Sequence, residues 1–120
     1  MKSLYESSKG AGRTEISLSA YHLGDDIVVF IYNSNAHLGA VAVGEYDSGH
    51  KRTSTSVVTR LGHKDDTIAQ KAACLISKAC QRPACVVAGI HIDNISEEEI
   101  NIILENVRLA VEEFISKTLR

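Results

Sequence analysis

From residue 15 to residue 22, apolar and polar side chains alternate. Ile16, Leu18 and Ala20 fall on one side, and Ser17, Ser19 and Tyr21 on the other. A period of two marks a strand with one buried face. Leu23-Gly24-Asp25-Asp26 then supplies turn chemistry. Residues 27–32 (IVVFIY) are continuously apolar and largely β-branched, which predicts a strand covered on both faces. After the turn Asn33-Ser34-Asn35, residues 37–44 (HLGAVAVG) read as a third strand, whose two glycines permit close approach to the backbone. Residues 45–52 (EYDSGHKR) are polar and predict an exposed loop. Residues 53–60 (TSTSVVTR) form a fourth, amphipathic strand suited to a sheet edge.

The period then lengthens. Leu61-Gly62-His63-Lys64-Asp65-Asp66 is a connector ending in a helix N-cap. The helix runs to about residue 81, with Ile68, Ala72, Leu75, Ile76 and Ala79 on one stripe. Arg82-Pro83 stops it, and residues 84–90 (ACVVAGI) make a fifth, buried strand. Ser96 and Glu99 have the spacing of a capping box, and Ile95 and Ile100 are placed to staple it. From Ile100 to Ile115 the apolar residues keep the helical period. Residues 1–13 (MKSLYESSKGAGR) show no period and read as a flexible leader, followed by a single domain over 14–120. The order ββββαβα predicts an α+β fold, a mostly antiparallel sheet with two helices packed on one face.

Composition narrows the function. The 120 residues carry 13 Lys plus Arg against 15 Asp plus Glu, a net charge of −2. General nucleic-acid binding, which needs clustered cations, is not expected. No apolar run approaches the about 18 residues of a membrane span. The polar start lacks the apolar core of a signal peptide, so a cytoplasmic location is expected. The three cysteines, Cys74, Cys80 and Cys85, read as free thiols in small apolar positions. Neither G-x-G-x-x-G nor a P-loop occurs.

Candidate chemistry collects in three stretches that put His or Asp beside Gly: Asn35-Ala36-His37-Leu38-Gly39, Gly62-His63-Lys64-Asp65-Asp66 and Gly89-Ile90-His91-Ile92-Asp93-Asn94. His37, His63, His91 and Asp93 are donors that suit a divalent metal, although no pair has helical H-x-x-x-H spacing. His63 and Lys64, beside the free N–H groups of a helix start, suit a phosphate. Asp65 and Asp66 oppose an anion there, and helix capping is the plainer reading of Asp66. His37 or His91 also suits acid–base work, against the alternative of a histidine that anchors a loop. His22 and His50 face solvent and take no role. The hydroxyls of Thr53, Ser54, Thr55, Ser56 and Thr59 line a polar pocket or decorate an exposed face.

Taken together, Asn35–Ala42 (NAHLGAVA), Gly62-His63-Lys64-Asp65-Asp66 and Ala88-Gly89-Ile90-His91-Ile92-Asp93 resemble the prenylated flavin chaperone LpdD-like family, the small accessory subunits of gallate-type hydroxyarylic acid decarboxylases. The resemblance spans about residues 12–119. It implies an accessory protein, without decarboxylation chemistry of its own, for a UbiD-type large subunit whose cofactor is prenylated flavin mononucleotide (FMN). The expected cofactor-binding residues are His37, Gly39, His63, Lys64, His91 and Asp93, read from the three stretches. Two other readings stand beside it. One is a small His- or metal-dependent enzyme built on His37, His63 and His91. The other is a structural module that forms a homo-oligomer through a strand edge or helix face, as proteasome-assembly chaperones of similar size and element order do.

Overall fold

A computed structural model describes residues 2–60 and 65–119. The alternation of the strands decides the architecture, because every second residue turns its apolar side chain to the same side of one sheet. The strands are β1 (Ser3–Lys9), β2 (Ile16–Leu23), β3 (Asp26–Tyr32), β4 (Ala40–Asp47), β5 (Arg52–Thr59) and β6 (Ala84–Gly89). The helices are α1 (Asp65–Cys80) and α2 (Glu97–Phe114). The six strands lie in the order β1-β2-β3-β6-β4-β5. Each neighbouring pair is antiparallel except β3 with β6, which the crossover through β4, β5 and α1 makes parallel.

Ile16, Leu18, Ala20, Val29, Ile31, Ala42, Val86 and Ala88 are fully buried beneath the two helices, where Ile76 and Phe114 meet them. This is the expected α+β arrangement with both helices on one face. The capping box also forms: Glu99 N–H donates to Ser96 Oγ at 3.1 Å, and Ser96 N–H to Glu99 Oε1 at 3.1 Å.

Four sequence expectations need correction. Residues 3–9, expected to belong to a loose leader, are strand β1. A register shift between Ser3 and Tyr5 turns the adjacent Leu4 and Tyr5 both toward the core, which erases the period of two. The third strand begins at Ala40 rather than residue 37, since His37, Leu38 and Gly39 form an irregular approach to it. Residues 45–52 are mostly hairpin: β4 runs to Asp47, whose Oδ1 accepts from the N–H groups of Gly49 and His50. The strand expected to be covered twice, β3, is covered once. Ile27, Val29 and Ile31 are buried, while Phe30 on the other side is 37% exposed.

β1 is tied to the end of α2. Tyr5 O–H and Lys9 Nζ both donate to the Glu113 carboxylate, and Tyr5 packs on Phe114 with ring centroids 5.5 Å apart. The hydrogen bonds from Lys9 and then Tyr5 hold the Glu113 carboxyl down at about 2 against an ordinary 4.5. A depressed carboxylate stabilises the fold above its unfolded pKa and loses that contribution as pH falls through the folded one. Resistance to urea is therefore expected to decline between about pH 4.5 and pH 2, and less steeply in Glu113→Gln. Urea midpoints measured across that range check it.

Candidate functional site

The face of the sheet away from the helices carries the side chains that alternation leaves over. Tyr21 of β2, Phe30 and Tyr32 of β3, and Val87 of β6 surround a hollow of about 690 Å³. That volume lies within the range of about 300–1,000 Å³ typical of small-molecule sites. Phe30 and Val87 are register partners across the parallel β3–β6 pair, so they form the floor side by side. Tyr21 meets Phe30 edge-on, with centroids 5.8 Å apart and planes at 79°. Ser19 and Tyr32 pair their hydroxyls at 3.2 Å and put a polar handle on one wall. Two of the chain's four Tyr residues and one of its two Phe residues line this hollow. Cys85, on the same face of β6, is half-buried, and burial pushes its thiol pKa up. It therefore stays a protonated, apolar group.

At one end of the hollow the chain after β3 passes beneath the chain after β6. Asn33, almost fully buried, holds the two together: its Nδ2 donates to His91 O at 2.9 Å and its Oδ1 accepts from His91 N at 3.3 Å. Ala36 and His37 then complete the rim of the hollow. Gly89 is required here by contact, since a Cβ on it lies 1.5 Å from His37 O. Gly39 donates its N–H to Ala88 O at 3.0 Å and accepts from Arg60 N at 3.1 Å, which carries the chain into β4.

The expected site residues separate into three groups. His37 is in the hollow. Gly39, His91 and Asp93 surround it without lining it. The His91 ring meets that of His37 at right angles, centroids 6.0 Å apart. His91 is exposed, and its Nε2 pairs with Asp93 Oδ1 at 2.9 Å. His63 and Lys64 lie outside the described residues. Among the described residues, no group of three or more His, Cys, Asp or Glu is placed to hold a metal ion.

Sequence patterning misses Tyr21, Phe30, Tyr32 and Val87, because apolar strand positions look alike whether a helix covers them or not. It also misses Asp65, which lies within α1 as described, buried and only 4% exposed. Asp66, read as the cap, lies within α1, and its Oδ1 accepts from Thr67 N–H at 2.9 Å. His22 and His50 are exposed. Thr55 faces α1, where its hydroxyl accepts from Gln70 at 3.3 Å.

The sequence matches the family model described as the prenylated flavin chaperone LpdD-like domain over residues 10–119. The chain belongs to that family. The LpdD-like domain thus takes in every element from the turn after β1 to the end of α2. No curated protein matches the sequence. Among solved structures, a chain from a chaperone complex for yeast 20S proteasome assembly is similar, with a TM-score of 0.67 at 12% identity over 99% of this chain and 98% of that one. At that identity the likeness shows a shared fold. Among the described residues of this LpdD-like chain, no helix is long and apolar enough to cross a membrane.

Proposed function

We propose that this LpdD-like chain holds prenylated FMN transiently in the hollow of its uncovered sheet face and passes it to a UbiD-type hydroxyarylic acid decarboxylase. The observation that carries this reading is the aromatic and aliphatic lining of that hollow, with His37 at one end. Phe30 and Val87 offer a floor for the flavin ring system, and Tyr21 an edge-on wall. Tyr32 and Ser19 offer hydroxyls to its polar rim. The decarboxylation chemistry belongs to the cofactor and the large subunit; the residues here bind, orient and exclude water. An open face suits delivery, because the ligand leaves by the way it enters. The phosphate is assigned to His63 and Lys64, the pair singled out in the sequence for that chemistry. The chain is expected to work in the cytoplasm, where its three thiols stay reduced. It is also expected to form a homo-oligomer, for which the edge strand β5, uncharged from Thr53 to Thr59, is a natural seam.

The test is a transfer assay. Purified chain is loaded with prenylated FMN, desalted and mixed with an apo UbiD-type decarboxylase. Activity should appear faster than with the same amount of free cofactor. Equal rates with and without this chain contradict the proposal.

A further inference from the structure

The uncovered face of the sheet extends beyond the hollow. Because β6 lies between β3 and β4, two rows of side chains cross that face in register. One row runs Phe30, Val87, Val41, Val58, and the other Tyr21, Val28, Cys85, Val43. Neither row holds a charge; Asp26 of β3 and Glu45 of β4 share the face but lie beyond the second row. The two halves of the face differ in relief. Across β2, β3 and β6 it is hollow. Across β4 and β5 its valines stand into solvent: Val43 is 43% exposed, and Val58, at 73%, is the most exposed large hydrophobic side chain among the described residues. β6 divides the halves, with β3 and β4 one strand away on either side and β2 and β5 two.

We propose that the ligand-free chain pairs face to face with a second copy of itself, about a two-fold axis along β6, and that Val43 and Val58 of each copy fill the hollow of the other. Rotation about that axis carries β4 over β3 and β5 over β2. Valines then meet Phe30, Val28 and Tyr21 in both directions at once, the self-complementarity that an isologous dimer requires. Sheets packed in this aligned way interdigitate their side chains across about 10 Å. Five overlapping strands, about 4.8 Å apart and about seven residues long, present roughly 550 Å² of flat area per copy. Side-chain relief adds to that and brings it to the about 600 Å² per partner at which specific interfaces begin. A contact of this size is reversible. A ligand lying on Phe30 and Val87 takes the space of the second copy's valines, so binding and pairing exclude one another. Pairing keeps the apolar face from water until the ligand arrives, and the loaded chain is open for delivery. The competition rests on the flavin-holding reading of the hollow; the pairing does not. β5, the expected seam of the homo-oligomer, enters the contact through Val58.

The experiment uses the full chain and three variants, Val43→Asp, Val58→Asp and Leu104→Asp, each first confirmed folded by its melting curve. Sedimentation velocity over a concentration series reports the dimer. The wild type should be a dimer that dissociates on dilution. A carboxylate placed in an apolar contact should weaken pairing about tenfold or more in Val43→Asp and in Val58→Asp. Leu104→Asp, on α2 behind the sheet, should pair as the wild type does. Adding FMN should turn the wild-type dimer into monomer. A wild type that is monomeric throughout the series overturns the pairing. So does a Val43→Asp variant that pairs normally, because β5 edges meeting alone do not involve Val43. A dimer that binds FMN without dissociating overturns the competition. Pairing as expected with no FMN binding to any of the four proteins leaves the dimer standing and overturns the flavin reading instead.

Discussion

Gly89→Ala is expected to cost this protein its fold, by about 3 kcal/mol or more, at the high end of single-residue effects. The reason is purely steric. A Cβ at residue 89 meets His37 O at 1.5 Å, His37 C at 2.6 Å and His37 N at 3.1 Å. All three are backbone atoms, so no side-chain rotation relieves the clash. The two segments are also clamped from the other side by Asn33, through both polar atoms of its amide. Separating them means undoing the end of the parallel β3–β6 pair, where Tyr32 and Gly89 are register partners. Urea denaturation measures the effect. A variant with the wild-type midpoint would show that these segments do not pack as described.

Phe30→Ala is expected to do the opposite: leave the fold and remove the ligand. Phe30 faces the hollow, at 37% exposure, so its loss opens no sealed cavity beneath the helices. Against a bound ring, however, it is half the floor. Burying a phenyl side chain against an apolar partner is worth roughly 1.5–3 kcal/mol. The affinity for FMN should therefore fall about ten- to hundredfold, while the melting temperature changes little. Leu104→Ala is the matching control. Leu104 is similarly exposed, at 41%, but lies on α2, behind the sheet. It should bind FMN as the wild type does. Equal losses in both variants would point to general loosening and away from the hollow.

These two residues show what patterning along a chain tells and where it stops. Local rules work where the determining contacts are local. The Ser96–Glu99 capping box spans one turn and forms as read. The alternation in β2 correctly divides Leu18 from Ser19 because one side of that strand is polar. The same rules fail where the deciding neighbour is distant. β3 is apolar on both sides, and nothing in Ile27–Tyr32 says that only one side is covered. That depends on both helices choosing the same face. β1 is hidden by a bulge that breaks its period. Asp65 and Asp66 are adjacent and chemically identical, yet one is buried against His37 and Ile90 and the other bonds within its own turn. Asn33 reads as an ordinary turn residue until its partner, 58 positions away, is known. The glycines at 39 and 44 are legible as places of close approach. What approaches them, a carboxylate and a peptide group, is not. His37 and His91 lie far apart along the chain, and only the pairing of β3 with β6 brings their rings edge to face across 6.0 Å.

The ligand is expected to lie on the bare side of the sheet, on Phe30 and Val87, with His37 at its edge. Titrating FMN into isotopically labelled protein and following the backbone and side-chain resonances tests it most directly. The shifts are expected to cluster on Tyr21, Phe30, Tyr32, His37 and Val87 and to leave Leu104 and Leu109 of α2 unmoved. Shifts confined to the helices, or none on the strands at saturating FMN, would contradict it.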